Sequence, residues 1–265
     1  MYNMNILIND PVKCEIFAGI FQNLRVFTDN ISIHFEKTQV YIQTMDHSRV
    51  SIIELKIPAN WFNEYDHTHP TDIIIGINSS IMYKILNARD RLQTIQLVYE
   101  SNTSDSLSIH YAGGDKNMIT FNKSFTVPLV DLETDMMTIP PIDYEAEFAI
   151  PSNIFTSLIH QLKTFGDSLD IECTESKIML CSNSIDSGKM NVDIDIDDLA
   201  TYSIVEGEEL KMSFSLTYLN NICAFNKLSK YMEIRICNNY PMSVVFNLTD
   251  EASLTVFLAP KISDE

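Results

Sequence analysis

Aspartates recur at alternate positions around residue 195, and carboxylates in such a row could hold a metal ion. In a β-strand, alternation places Asp193, Asp195 and Asp197 on one face, roughly 6.6 Å apart. Carboxylate oxygens bind Mg²⁺ or Ca²⁺, so a metal-dependent enzyme is one hypothesis. A straight strand does not make its carboxylates converge, however, and Ile194 and Ile196 alternate with them. We therefore favour an edge strand with one apolar and one charged face, and we predict no metal site and no cofactor.

The remaining signs of an enzyme are weak. His67 and His69 are of metal-ligand type, but no cysteine or carboxylate motif at metal-site spacing accompanies them, which favours a solvated loop. The sequence contains no G-x-S-x-G, G-x-x-x-x-G-K-[ST], G-x-G-x-x-G or H-E-x-x-H motif. Seven glycines leave little room for a phosphate-binding loop. We therefore predict that the protein is not an enzyme.

The polar faces of the predicted helices carry basic side chains, and a basic surface could follow the phosphates of DNA without reading its bases. The residues placed there are Lys13, Arg25, Lys84, Arg89, Arg91, His160, Lys163 and Lys227. Ordinary solvated helix surface is the simpler interpretation. The bias is nevertheless informative, because the chain has 36 acidic and only 18 basic residues.

Composition limits the other possibilities. With 265 residues, of which 45% are hydrophobic, the chain can form one large domain or two of ordinary size. A net charge of −18 argues against a protein that grips nucleic acid with its whole surface, but it permits one local basic face. The sequence lacks both an apolar run of about 20 residues and a signal-peptide pattern. The five cysteines form no C-x-x-C pair, so we expect an intracellular protein with reduced thiols.

Four amphipathic helices are predicted to position the basic side chains. Asp10-Pro11 and Asn78-Ser79 are typical helix starts, and a third helix begins at Pro151-Ser152. The apolar positions of the third helix repeat those of the first, since the pattern that begins at Ile16 begins again at Ile154. The fourth helix repeats the second in the same way. Short strands are predicted near 31–35, 39–44, 49–57, 72–77, 94–99, 106–111 and 117–127, and again near 168–173, 177–182, 189–196, 209–215, 231–236, 242–248 and 253–258.

The repeated order of elements predicts a tandem duplication, with two α+β domains of like fold. An acidic connector with several prolines joins them over residues 128–145. In each domain we expect two helices to lie side by side on one face of antiparallel sheet.

Two motifs carry a resemblance to a known family. Residues 42–51 read I-Q-T-M-D-H-S-R-V-S and match the pattern L-Q-S-M-D-x-S-H-V-S. Residues 257–262 read F-L-A-P-K-I and match Y-L-A-P-K-I. Both patterns are typical of the proliferating cell nuclear antigen family of eukaryotic and viral DNA sliding clamps. The resemblance runs nearly from end to end and includes the duplication and the connector.

This resemblance implies the DNA clamp fold, in which each domain has antiparallel sheets on the outside and two helices on one face. The expected boundaries are 1–128 for an N-terminal domain, 129–145 for the connector and 146–265 for a C-terminal domain. Three chains would form a homotrimeric ring around double-stranded DNA and tether DNA polymerase and other replication and repair proteins that bear short peptide motifs. A clamp loader is also implied, no membrane is involved, and the location would be the nucleus or a viral replication site. Two alternatives stay open, namely a subunit of a heterotrimeric checkpoint clamp and an accessory factor of replication or late transcription.

The resemblance also implies three functional surfaces. The residues facing DNA would be Arg25, Lys84, Arg89, His160, Lys163 and Lys227. A pocket for partner peptides would comprise Met45, Val50, Met137, Ile139, Pro140, Pro241, Phe257, Ala259 and Pro260. The subunit interface would use the strand edges 120–127 and 189–196, with Phe121, Phe125, Met190, Val192 and Ile194. Because Ala18, Gly19, Ser157 and Ala224 stand where the family usually has basic residues, we expect weaker contact with DNA.

Overall fold

The computed structural model describes residues 3–100, 105–114, 119–132 and 136–261. It divides into two compact units, each of which combines long stretches from one half of the chain with short segments from the other half. The first unit comprises residues 1–45, 54–136 and 248–254, and the second comprises 46–53, 137–247 and 255–265.

The described residues form four α-helices, α1 (Pro11–Leu24), α2 (Ser79–Asn87), α3 (Ser152–Leu162) and α4 (Leu216–Ile222). Local capping explains where the first two begin. Asp10 accepts hydrogen bonds from the backbone N–H groups of Val12 and Lys13, and Asn78 accepts one from the N–H of Ile81. None of these helices has the length and apolar character needed to cross a bilayer.

Among the described residues, nine strands belong wholly or mainly to the first half of the chain. They are β1 (Met4–Ile8), β2 (Asn30–Phe35), β3 (Gln39–Met45), β4 (Ser51–Pro58), β5 (Glu64–His67), β6 (Ile73–Asn78), β7 (Gln93–Tyr99), β8 (Ser106–Gly113) and β9 (Lys123–Pro128). In the first unit they run in the orders β5-β1-β7-β8-β9 and β6-β2-β3. All the pairings are antiparallel.

The described part of the second half forms another nine strands. They are β10 (Ala146–Pro151), β11 (Ser168–Cys173), β12 (Lys177–Ser184), β13 (Gly188–Asp195), β14 (Thr201–Ile204), β15 (Leu210–Ser215), β16 (Tyr231–Ile236), β17 (Met242–Asn247) and β18 (Ser253–Leu258). In the second unit they run in the orders β14-β10-β16-β17 and β15-β11-β12-β13. Adding nine to the strand numbers β5-β1-β7-β8 and β6-β2-β3 gives this same topology, which confirms the duplication.

The structure adds four short strands, β1, β5, β10 and β14, that the sequence pattern did not predict. Each is four to six residues long and gains its hydrogen bonds from distant segments. Met4, for example, pairs with Tyr99 on one side and with His67 on the other. Short segments of this kind are stable only when partners far away in sequence lie beside them, so local pattern is a poor guide.

Each unit has its own apolar core. In the first, α1 buries Phe17 and Phe21, whose ring centroids lie 5.0 Å apart. In the second, Phe225 follows α4 and packs against Phe246 of β17, with ring centroids 5.9 Å apart. The helices of each unit bury their apolar faces in this way, which leaves their polar faces for solvent or ligand.

Candidate functional site

Two predicted DNA-facing residues of the first unit lie at the C-terminal end of α1 and on the neighbouring helix α2. Arg25 follows the last residue of α1 and is exposed, and its guanidinium carbon lies 4.2 Å from the ring centroid of Tyr83 on α2. Lys84 is exposed on α2 beside that tyrosine. Tyr83 thus holds Arg25 near α2 by a cation–π contact without removing its charge from solvent. The pair forms a small basic patch on this helix pair.

Arg89 does not belong to that patch. Its side chain is only 4% exposed, and it forms an ion pair with Glu15 of α1. Its Nη1 also donates to the backbone oxygen of Gln93 at 2.9 Å. These contacts join the end of α2 to α1. The positive charge of Arg89 is paired with the carboxylate of Glu15 and largely shielded from solvent, so it is not available to a phosphate. The prediction that Arg89 faces DNA is therefore corrected, and its role is structural.

Lys13 is engaged in a similar way inside the first unit. Its side chain is 16% exposed, and Nζ donates to the backbone oxygen of Trp61 at 2.7 Å. The same Nζ lies 2.6 Å from a carboxylate oxygen of Asp250. Lys13 therefore holds together three segments of the unit and is not part of a basic surface. Arg91, in contrast, is exposed just beyond α2.

In the second unit the residues predicted to face DNA are exposed at the ends of helices. His160 and Lys163 lie at the C-terminal end of α3, and Lys227 ends the 3-10 helix Cys223–Lys227 that continues α4. Lys230 is also exposed, but the sequence prediction did not include it. Its backbone oxygen accepts a hydrogen bond of 2.9 Å from the N–H of Ser152, the first residue of α3. The spacing of Lys227 and Lys230, three residues apart, was the available signal.

Both strands predicted for the subunit interface end a sheet order within their own units. β9 pairs with β8 and stands last in the order of the first unit, and β13 pairs with β12 and stands last in the order of the second. A strand was predicted near 117–127, whereas β9 begins only at Lys123 and is therefore shorter. Of the predicted range, residues 117 and 118 lie outside the described part of the chain. It ends at Pro128, whose missing N–H suits the last position of a strand.

The apolar residues predicted for this interface differ in exposure. Phe121 precedes β9 and is 73% exposed, whereas Phe125 packs against Tyr111 with ring centroids 5.4 Å apart. On β13, Met190 and Val192 are half-buried and Ile194 is buried. These three alternate with exposed polar residues, as the sequence pattern predicted.

The aspartate row does not form one strand face. β13 ends at Asp195, which caps the following 3-10 helix by accepting from the N–H of Asp197 at 3.1 Å. Asp193 instead pairs with Lys177 of β12, at 3.1 Å. The expectation that three aspartates share one face is therefore wrong, because the strand stops too early. Within the described ranges, no group of three side chains of ligand type could hold a metal.

Most of the residues predicted to bind partner peptides lie in the second unit. All but one of these are half-buried, namely Val50, Met137, Ile139, Pro241, Phe257, Ala259 and Pro260, and Pro140 is exposed. One hydrogen bond ties two of the contributing segments together, since the N–H of Ala259 donates to the backbone oxygen of Val50 at 3.0 Å. Met45 ends β3 in the first unit and is half-buried.

The turn that presents Val50 is built around Asp46, the aspartate of the motif at residues 42–51. The side chain of Asp46 is 6% exposed. Its Oδ1 accepts from the N–H of Val50 at 2.8 Å and from the Oγ of Ser51 at 3.0 Å, and its Oδ2 accepts from the N–H of Ser48 at 2.8 Å. Arg49 completes the turn with a positive φ of 58°. The buried carboxylate therefore stabilises this conformation of the turn.

The connector begins against β6. The N–H of Val130 donates to the backbone oxygen of Gly76 at 2.8 Å, and the two residues form an isolated antiparallel bridge. A side chain at position 76 would meet Val130 and Leu132, so the close approach requires glycine. The sequence indicates this pairing only weakly, because one glycine in a run of isoleucines is ambiguous.

Comparisons with known proteins agree with this architecture. Residues 11–136 match the family model described as proliferating cell nuclear antigen, N-terminal domain, and residues 138–261 match the model of its C-terminal domain. Proliferating cell nuclear antigen of Caenorhabditis elegans is 25% identical over 257 residues, which cover 94% of this chain and 95% of the relative. The proteins of the same name from Saccharomyces cerevisiae and Chaetomium thermophilum are 25% and 26% identical, each match covering 96% of this chain and 97% of the relative.

Two similar α+β units, each with two helices and antiparallel strands, define the class of DNA sliding clamps. The chain belongs to the proliferating cell nuclear antigen family. It is a sliding clamp of DNA replication and repair, in a family of non-catalytic clamps that confer processivity.

Proposed function

We propose that three copies of this chain close into a ring around double-stranded DNA. The observation that carries the proposal is that each unit ends one of its sheet orders with a strand, β9 or β13, on the segments that the family resemblance assigns to the subunit interface. Pairing of β9 from one chain with β13 from the next would satisfy the backbone groups along both edges. A heterologous contact of this type closes a ring when its rotation permits.

The inner surface of the ring would carry the exposed cations of the four helices. The cations are Arg25, Lys84, Lys163 and Lys227, to which we add Lys230, and the exposed His160 belongs to the same surface. With so few cations and a net charge of −18, contact with phosphates is weak and independent of base sequence. Weak contact suits a protein that stays on DNA topologically and must slide along it. We assign no catalytic role to any residue.

The second role is to tether partners. Half-buried apolar residues of the turn at Val50, the connector and the segment Phe257–Pro260 can receive apolar anchors of short peptides. DNA polymerase and other replication and repair proteins would dock there, and a clamp loader would open the ring. Because the ring keeps a docked partner beside the DNA, the binding of that partner to the DNA becomes effectively intramolecular. We place the protein in the nucleus or at a viral replication site.

Light scattering on the purified chain tests the ring. A homotrimer has three times the chain mass of 30.3 kDa. Phe121 is exposed beside β9 in the single chain and would be buried in the proposed interface. Phe121→Asp should therefore reduce the assembly to monomers, because the assembly would have to bury a charge. Ile74→Asp is a matched control, because Ile74 is 56% exposed on β6 and should not affect assembly. A stable wild-type monomer would contradict the homotrimer and favour the alternatives, a subunit of a heterotrimeric clamp or an accessory factor.

A further inference from the structure

We propose that Asp46 is a positioning residue for the partner-peptide site, an inference that rests on the function proposed above. Its buried carboxylate holds Val50 in place, and Val50 in turn holds the C-terminal segment at Ala259. Asp46 is too buried to serve as a contact for the peptide itself. It acts by fixing the relative position of two segments that the peptide would touch.

The carboxylate organises the turn through four donors. Oδ1 accepts from the N–H and the Oγ of Ser51 and from the N–H of Val50, and Oδ2 accepts from the N–H of Ser48. The backbone closes the same turn, because the N–H of Asp46 donates to the oxygen of Ser51 at 3.0 Å and the N–H of Arg49 donates to the oxygen of Asp46 at 3.0 Å. Without the carboxylate, several N–H groups near a buried position would lose their acceptor.

This turn continues into the C-terminal segment. The oxygen of Val50 accepts from the N–H of Ala259 at 3.0 Å. Two residues later, the N–H of Lys261 donates to the oxygen of Ser213 at 2.8 Å. Pro260 lies between these two hydrogen bonds and has no N–H of its own. The bond to Val50 is therefore the backbone tie on the N-terminal side of Pro260, and displacement of Val50 would release that end.

Only a side chain with two acceptor oxygens at this distance meets all four donors. Asparagine can keep the acceptor at Oδ1 but would place its NH₂ group against the N–H of Ser48. Alanine would remove every acceptor. Asp46→Asn thus removes one of the four hydrogen bonds to this side chain, and Asp46→Ala removes all four. Peptide binding should therefore weaken less in Asp46→Asn than in Asp46→Ala.

The experiment measures peptide binding and hydrogen exchange together. Peptides are selected from a display library on the wild-type protein and counter-selected against Met45→Ala/Ile139→Ala, and their dissociation constants are then measured. We expect Asp46→Ala to raise the dissociation constant about tenfold or more and Asp46→Asn to raise it about threefold. A tenfold change corresponds to about 1.4 kcal/mol of binding free energy. The amide of Ala259 should exchange faster in both variants. Asp66→Ala is the control, because Asp66 is exposed on β5 of the first unit.

The outcomes separate the inference from the function on which it rests. If no peptide binds the wild-type protein, the proposed peptide site is wrong and the inference falls with it. If peptides bind the wild-type and Asp46→Asn proteins equally, with Ala259 equally protected, the positioning role alone is overturned. Should Asp46→Ala fail to fold, Asp46→Asn decides the question.

Discussion

Replacing Gly76 by alanine tests how the connector is attached to the first unit. A Cβ atom at this position would lie 2.2 Å from the backbone oxygen of Val130 and 2.8 Å from the Cδ1 and Cγ atoms of Leu132. An ordinary contact of this kind is 3.4–4 Å, so the connector must retreat from β6. The hydrogen bond from the N–H of Val130 to the oxygen of Gly76, now 2.8 Å long, should break.

The size of the effect follows from what is lost. One backbone hydrogen bond contributes about 1 kcal/mol net. Partial exposure of the half-buried side chain of Leu132 costs about 1 kcal/mol more. Alanine returns about 0.5 kcal/mol, because it restricts the unfolded chain more than glycine does. The free energy of unfolding should therefore fall by about 1.5 kcal/mol, which lowers the melting temperature by about 3–6 °C for a chain of this size.

Hydrogen exchange with calorimetry gives the decisive assay. In Gly76→Ala the amide of Val130 should lose its protection, together with the fall in melting temperature. Gly113→Ala is the control, since Gly113 has a positive φ of 75° but, apart from its chain neighbours, no atom of the described residues lies within 4 Å of the position that a Cβ atom would occupy. That variant should lose stability through backbone strain and keep Val130 protected. Full protection of Val130 in Gly76→Ala would refute the proposed attachment.

Two further predictions concern ionisable groups of the first unit. Arg89→Ala should lower the free energy of unfolding by about 3 kcal/mol, since a side chain only 4% exposed loses its packing and hydrogen bonds. Glu15→Ala should lower it by only about 1 kcal/mol, because the side chain of Glu15 is 68% exposed. Equal losses for the two variants in urea unfolding would contradict this prediction. Burial lowers the pKa of His34 below 6.5, although Glu36 and Asp72 oppose the shift. The unfolded chain therefore binds this proton first, so stability should fall as the pH drops from about 6.5 towards the lower folded pKa. His34→Gln should flatten that part of the pH–stability curve, and an unchanged slope would argue against it.

Local signals made much of the fold predictable. The caps at Asp10 and Asn78 define helix starts because each acts on N–H groups two or three residues away. The strand β18 was predicted with its observed bounds, Ser253–Leu258, since alternating apolar residues need no distant information. The duplication was also visible, because two helix patterns recur at nearly the same interval. The peptide-site and subunit-interface assignments, in contrast, came from resemblance and stay predictions.

The sequence by itself determined the four helices, most of the strands, their order and the polar face of each helix, because these depend on neighbours within a few positions. Only the tertiary structure decided which charged groups remain available to a ligand. Arg89 and Arg25 look alike in sequence, yet one is buried against Glu15 and the other is exposed over Tyr83. Asp46 likewise became the centre of a turn only once four donors surrounded it. The physical reason is that the state of a charge depends on the partners that folding brings to it, and helical or strand periodicity does not specify them.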